Sequence, residues 1–366
     1  MVNHLGNWKN GELGDFVTLK RGFDLPQQKR EDGQVPIFSS SGITGTHSTA
    51  MVKAPGVITG RYGTIGEVFY AAKDFWPLNT TLFVEDFHGN DAKFIYYFLK
   101  TLEWSKFTSA SAVPGINRNT VHKEIVSLPD IETQRRIAST LSMFDEKIKI
   151  NTEINDNLQQ QAAALFSSLY DRSNTEVRFT DLIQILGGGT PKTGENTYWN
   201  GNIAFFTPKD VGTPYTLITE KTITEEGLSH CNSRLYPVNT VFVTARGTVG
   251  KVGISGVPMA MNQSCYALVG KETHQLLVYF YTLKAVDRLK HKASGAVFDA
   301  ITTRDFESEQ IMKLSDDDAK AFLCIAEPMF QKVLNNCIEN LRLSTLRDSL
   351  LPKLMSGEVD VSAVQL

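Results

Sequence analysis

One stretch of this chain is written twice. Gly60-Arg61-Tyr62-Gly63-Thr64-Ile65-Gly66-Glu67-Val68 returns 184 residues later as Thr244-Ala245-Arg246-Gly247-Thr248-Val249-Gly250-Lys251-Val252. The repetition continues on both sides. Asn79 aligns with Asn262, Ser111-Ala112-Val113 with Gly295-Ala296-Val297, and Met143-Phe144 with Met329-Phe330. A period this long is too large for a solenoid of short repeats and implies one ancestral unit duplicated whole. The fold must then present two similar surfaces related by something close to a two-fold axis.

Composition supplies material for two cores. The 366 residues are 42% hydrophobic and 10% aromatic, and length alone argues for two or three domains. No run approaches 18 uninterrupted apolar residues, and Met1–Lys20 lacks a charged-then-apolar secretory pattern, so no membrane partner and a cytoplasmic location are expected. Cys231, Cys265, Cys324 and Cys337 show no Cys-x-x-Cys spacing and are expected as small buried hydrophobes. A net charge of −3 argues against a protein that coats nucleic acid indiscriminately, while leaving room for a local basic face.

Each unit divides in two. Residues 13–128 and 178–313 are rich in Gly, Thr, Ser, Phe and Val, with short apolar runs such as Gly56–Thr59 and Thr240–Thr244 that predict a strand-rich domain. One helix per domain is predicted, over Ala92–Thr101 and Thr273–Lys284, from apolar residues at helical spacing. After Leu128-Pro129-Asp130, and again after Leu314-Ser315-Asp316, glycine disappears for roughly forty residues. Ser315 followed by Asp318 reads as a capping box, and Asp130 with Glu132 places acids at a helix N-terminus. Leu141, Phe144, Ile148, Asn151, Asn155, Leu158, Ala162, Leu165 and Leu169 then recur at steps of three and four, a heptad seam. The second helix offers Phe330, Leu334, Cys337 and Leu341, then slips in phase to Leu346, Leu350 and Leu354. The two seams are expected to pair, with Asn151 and Asn155 weakening the pair but setting its register.

Several motifs now stand in a telling order. They are Leu186-Gly187-Gly188-Gly189-Thr190-Pro191-Lys192-Thr193, Tyr198-Trp199-Asn200-Gly201-Asn202-Ile203 and Thr207-Pro208-Lys209-Asp210. Leu128-Pro129 before Glu132-Thr133-Gln134-Arg135-Arg136-Ile137-Ala138, and Leu351-Pro352-Lys353-Leu354-Met355-Ser356-Gly357-Glu358, belong to the same pattern. With them, the chain resembles the specificity subunits of type I restriction-modification systems over nearly its whole length. The resemblance implies an α+β fold: two strand-rich target-recognition domains related by internal duplication, separated by two long helices that form an antiparallel coiled coil. The boundaries expected are 1–128 and 173–314 for the domains, with 129–172 and 315–366 as the helical segments. It also implies that each domain reads one half of a split double-stranded DNA site. Two modification subunits, carrying S-adenosylmethionine and methylating adenine, would dock on the helices, and restriction subunits using ATP and magnesium would join them. The first unit departs from the pattern, with Lys20-Arg21-Gly22-Phe23-Asp24-Leu25-Pro26 in place of the Gly-Gly-Gly-Thr-Pro opening, so the two domains are expected to read different sequences.

Sequence is read by groups that reach base edges, whereas cations, hydroxyls and backbone amides hold phosphates. In the two glycine loops, Arg61, Tyr62 and Thr64, and Arg246 and Thr248, are candidates for DNA contact, since glycine lets backbone amides approach a phosphate. The same loops are equally well explained as tight hairpins required by the fold. Polar stretches supply further candidates: Ser39, Ser40, Ser41, Thr44, His47, Asn117, Arg118 and Asn119 in the first unit, and Thr190, Lys192, Thr193, Tyr198, Trp199, Lys209, Asp210, Thr302, Thr303 and Arg304 in the second.

Catalytic signatures are missing from the sequence. It holds no Asp/Asn-Pro-Pro-Tyr/Phe segment of the amino-methylating kind, and Gly247–Val252 lacks both the length and the following Ser/Thr of a P-loop. Gly187-Gly188-Gly189 lacks Rossmann spacing, and the histidines show no metal-ligand spacing. The expectation is a non-catalytic recognition subunit that binds no metal or cofactor itself. A protein-interaction scaffold and a stand-alone restriction-methylation enzyme are the rival readings; the charge favours the former, and the missing motifs disfavour the latter.

Overall fold

The computed structural model describes residues 8–108, 114–212, 214–292 and 300–361; the repeated segments Ser111–Val113 and Gly295–Val297 lie outside them. The chain forms two compact units. Unit 1 is Met1–Ile148 with Arg342–Leu366, and unit 2 is Lys149–Leu341. Each therefore joins one globular domain to a stretch of both long helices, whereas the sequence boundaries assigned the helices to segments of their own.

The two units share a plan. In unit 1 the first strand, Lys9–Glu12, pairs antiparallel with the last, Ile125–Leu128, directly ahead of a long helix. In unit 2 Thr175–Arg178 pairs in the same way with Gln310–Lys313. Between these brackets unit 1 has an antiparallel sheet in the order Thr18–Arg21, Thr81–Asp86, Gly56–Gly60, Val68–Ala71. Unit 2 repeats it as Ile183–Gly187, Cys265–Gly270, Val241–Thr244, Val252–Ser255, and adds Tyr215–Thr216 in parallel at the edge. A second sheet of three strands follows in each. It is Gly42–His47, Val35–Ser39, Trp76–Pro77 in unit 1 and Lys221–Ile223, Trp199–Phe206, Met259–Met261 in unit 2. The central apolar runs are buried on both faces, which is why Gly56–Gly60 and Val241–Thr244 read as continuous rather than alternating hydrophobic stretches.

The domain helix of unit 1 spans Ala92–Thr101, as its spacing predicts, and Asp91 caps it by accepting from Phe94 N at 2.8 Å. In unit 2 it spans Gln275–Lys292, eight residues past the expected end, because Ala285, Val286 and Leu289 keep burying its inner face.

The first long helix runs Ile131–Arg172 and the second Asp316–Met355. Asp130 Oδ1 accepts from Thr133 N at 2.9 Å, and Ser315 Oγ from Asp318 N at 3.1 Å, so both starts are capped where the sequence placed them. The second helix continues through Pro328, which cannot donate to the carbonyl one turn earlier. Phe322, Ala326, Phe330 and Val333, all buried around it, hold the helix together.

The helices pair antiparallel. In unit 2 Asn151 Nδ2 donates to Asn340 Oδ1 (2.9 Å) and Glu339 Oε2 (2.8 Å), Asn336 Nδ2 donates to Asn155 Oδ1 (2.8 Å), and Arg172 pairs with Asp318 (2.9 Å). In unit 1 Arg347 pairs with Asp145 at 2.5 Å. Of the seam residues, Leu141, Phe144, Phe330 and Leu334 are buried, and Ile148, Leu158, Leu165, Leu341 and Leu350 are half-buried. Leu346 differs from its expected place: it is 47% exposed, and Arg347 beside it turns inward to Asp145. The phase slip after Leu341 is thus taken up by an ion pair. Asn336, fully buried, is a seam residue that spacing alone did not single out.

The cysteines also differ from expectation. Cys265 is buried, and burial pushes its thiol up to about 12, but Cys231 and Cys337 are half-buried and Cys324 is exposed. Among the described residues no helix is long and apolar enough to cross a membrane.

Candidate nucleic-acid interface

In each unit the glycine loop closes a hairpin of the larger sheet, and the backbone bonds that anchor its start recur. Arg61 N and Tyr62 N both donate to Thr80 O, at 2.8 and 3.2 Å. Ala245 N and Arg246 N both donate to Ser264 O, at 2.8 and 3.3 Å. Ile116 N reaches Arg61 O at 3.0 Å, and Ile301 N reaches Ala245 O at 2.9 Å. Gly63 and Gly66 have φ of 75° and 90°, and Gly247 and Gly250 have 82° and 74°. These are left-handed conformations that any side chain would strain, so the glycines are required by the turn itself. That accounts for their retention in both copies without reference to a ligand.

The shared bonds also fix the correspondence of side chains. Arg61 occupies the place of Ala245, and Arg246 the place of Tyr62. In unit 1 the Arg61 guanidinium lies 4.5 Å from the centre of the Tyr62 ring, a cation–π contact at a half-exposed site. In unit 2 Arg246 is exposed and its backbone bridges Ala300. The loops thus offer the same backbone with their cation on successive positions, and so with different outward chemistry.

Around each loop the structure gathers several of the residues expected at the interface. Ser40 lies against the unit 1 loop, its Oγ 3.3 Å from where a Cβ on Gly63 would stand. In unit 2 Pro208 takes this place, and Thr248 Oγ1 donates to its carbonyl at 3.3 Å. Arg118 is exposed on the short helix that follows Ile116, and Thr303 and Arg304 are exposed in the short helix that follows Ile301. The exposed hydroxyl-bearing Thr64 and Thr248 sit at the loop tips.

Other candidates serve the fold. Ser39 Oγ accepts from Ser41 N and donates to Gly42 O, closing its own turn. Asn117 caps the short helix, accepting from Asn119 N at 3.0 Å. His47 is buried, with Nδ1 accepting from Glu31 N at 3.0 Å and its ring edge-on to Trp76. Asp210 is occupied on both oxygens: Oδ2 accepts from Thr207 N (2.8 Å) and Oγ1 (2.6 Å), and Oδ1 from Glu220 N (2.7 Å). Lys209 stays 78% exposed while pairing with Glu220 at 3.4 Å, an ion pair loose enough to exchange for a phosphate. Thr44 is exposed on the strand Gly42–His47. Lys192, Thr193, Tyr198 and Trp199 form a separate arch, in which Trp199 Nε1 donates to Lys192 O at 3.1 Å and Tyr198 stacks on His230 at 4.9 Å.

Two residues of the loop surroundings escaped the sequence reading. Leu78 N donates to Phe38 O, and Asn262 N to Phe206 O, so Asn262 corresponds to Leu78 and it is Gln263 that corresponds to Asn79. The apparent match of Asn79 with Asn262 was one residue out of register. Phe23 N donates to Pro77 O and Gly189 N to Met261 O, which likewise equates Asp24 with Thr190. The altered opening of the first unit, Asp24 in place of threonine, was the available signal.

A family model described as the type I restriction modification DNA specificity domain matches residues 6–160 and 172–313, one match in each half. The chain is similar to the HindI specificity subunit of Haemophilus influenzae, at 24% identity over 345 residues covering 71% of this chain and 75% of that one. It is also similar to the EcoR124I/EcoR124II specificity subunit of Escherichia coli, at 29% identity over 204 residues covering 52% of this chain and 50% of that one. Among solved structures, the type I restriction-modification S subunit of M. genitalium superposes with a TM-score of 0.65 over 97% of both chains at 18% identity, a likeness of fold. With one match of the family model in each half, together covering most of the sequence, this chain belongs to the specificity subunits of type I restriction-modification systems.

Proposed function

We propose that each unit reads one half of a bipartite double-stranded DNA site through the surface around its glycine loop, and that the chain performs no chemistry itself. The observation that carries this is the pairing of a conserved backbone with unlike side chains. The anchoring backbone bonds of the loops repeat, yet Arg61–Tyr62 stands where Ala245–Arg246 stands, and Ser40 where Pro208 stands. A repeated frame holds the phosphate-facing geometry, while the residues mounted on it differ, as two domains reading different sequences require. The helix pair is the docking surface for two modification subunits, which supply S-adenosylmethionine, and restriction subunits supply ATP and magnesium. The whole acts in the cytoplasm.

The test is exchange of one unit. Replacing residues 13–128 with the corresponding domain of a relative, in the chain co-expressed with its modification subunit, changes one half of the methylated site and leaves the other intact. A change in both halves breaks the modular reading. DNA binding must also fall steeply with salt, as phosphate contacts are displaced, and the chain purified alone must leave DNA unmethylated.

A further inference from the structure

Beside each loop stands a polar pair at matching positions. In unit 1 Asn79 Nδ2 donates to Asp24 Oδ1, and in unit 2 Thr190 Oγ1 donates to Gln263 Oε1. The amide of each pair lies one residue before the carbonyl, on Thr80 or Ser264, that anchors both loop amides. The partner is brought in by the segment that follows Thr18–Arg21 or Ile183–Gly187 and crosses this corner too closely for a side chain. A Cβ on Gly22 would stand 2.2 Å from Leu78 O, and one on Gly188 would stand 2.1 Å from Asn262 O. Neither distance tolerates a side chain, so only glycine lets Asp24 and Thr190 reach their amides. The same crossing, fastened by Phe23 N to Pro77 O and Gly189 N to Met261 O, sets in each unit an amide that is not part of either core: Asn79 is half-exposed and Gln263 exposed.

We propose that Asp24–Asn79 and Thr190–Gln263 are base-reading pairs, one for each half-site, in which the first side chain orients an amide toward the N6/N7 edge of an adenine. After its bond to Asp24, Asn79 keeps one amide hydrogen and its carbonyl oxygen. After its bond to Thr190, Gln263 keeps both amide hydrogens and a carbonyl lone pair. One donor beside one acceptor is the bidentate complement of adenine in the major groove. The partners make the two readers unequal. A carboxylate only accepts, so Asp24 pins the nitrogen of Asn79 in one direction, whereas the Thr190 hydroxyl both donates and accepts and permits Gln263 to rotate. Unit 1 is therefore the stricter reader at its position. This assignment rests on the reading that each loop face meets DNA.

The experiment uses the full chain co-expressed with its modification subunit and a duplex pool of randomised sequence, with selected and methylated sites sequenced. Asn79→Leu and Gln263→Leu, each with a partner variant that removes the orienting group (Asp24→Leu, Thr190→Val), are compared with Arg61→Ala and Arg246→Ala. The expected result is loss of preference at one base position in one half-site, by about 5- to 150-fold, with the other half unchanged. Thr190→Val is expected to relax its position less than Asp24→Leu relaxes its own. Unchanged preference in the pair variants, with affinity lost in the arginine variants, overturns the pairs and leaves the loop face standing. Uniform weakening across all sequences also overturns them, since it marks a phosphate contact. If neither set alters DNA binding, the pairs and the loop-face reading fall together.

Discussion

The two units share apolar packing between domain and helices and differ in what is added to it. In unit 2 the joint is aromatic: Phe166 stacks on Phe280 at 5.0 Å and meets Tyr281 and Phe322 edge-on at 5.4 Å, with Phe330 5.5 Å from Phe280. In unit 1 the domain helix packs Phe94, Ile95 and Phe98 in one cluster with Ile137, Leu141 and Leu354 of the long helices, and a polar knot is added to it. Tyr97 Oη donates to Asp145 Oδ2 at 2.5 Å, and Asp145 Oδ1 holds Arg347 at 2.5 Å, so one carboxylate ties the domain helix to both long helices. Burial and then the bond to Asp145 raise the Tyr97 hydroxyl well above its ordinary range, keeping it a donor. Duplication preserved the layout and the apolar packing, and unit 1 adds the knot to them. Apolar packing depends on area removed from water, while the knot depends on every partner being present.

The largest effect expected is at the aromatic joint. Phe166→Ala should destabilise unit 2 by about 3–5 kcal/mol, in low and high salt alike. Hydrogen exchange localises the loss: amides of Gln275–Lys292 should open while those of Ala92–Thr101 keep their protection, and equal loss in both would merge the two joints into one.

A smaller loss is expected at the knot. Asp145→Ala leaves the Tyr97 hydroxyl and the Arg347 guanidinium without their shared partner, at a cost of about 1–3 kcal/mol confined to unit 1. Asp145→Asn should recover part of it, because the amide oxygen still accepts. Thermal unfolding of both variants checks the order, and an alanine variant as stable as the parent would show that the knot is only a surface contact.

The smallest effect is a pH dependence found in unit 1. His122 Nε2 accepts from Leu19 N at 2.9 Å, which requires the neutral ring. Burial, then the charges of Arg118 and His88, lower its pKa below the ordinary 6.5. The unfolded chain therefore takes up this proton before the folded one does. Its contribution is complete above about pH 6.5 and is lost as the pH falls from there through the lowered folded value. Unfolding followed from pH 7.5 to 5 should show unit 1 weakening more than it does in His122→Gln; parallel curves would remove His122 as the cause.

Much of this molecule could be read before any coordinates. The repeat announced two units, the loss of glycine after Leu128 and Leu314 announced the long helices, and Asp130 and Ser315 announced where they start. These signals are local or periodic, and a helix or a capped turn answers to neighbours a few residues away. The glycine loops were legible for the same reason, as hairpins and as ligand sites alike. What escaped depends on residues far apart in the chain. The inward turn of Arg347 is decided by Asp145 on the other helix, and the burial of Asn336 by Asn155. Asp210 and Asn117 looked like free polar groups and are spent on their own turns. The match of Asn79 with Gln263 rather than Asn262 rests on backbone bonds to a different strand, and no count of spacings contains those bonds. The sequence by itself determined that there would be two like domains on two paired helices, because repetition and heptad spacing act along the chain. Only the tertiary structure decided which polar side chains are left facing outward, because a side chain's remaining donors and acceptors are known only once its distant partners are.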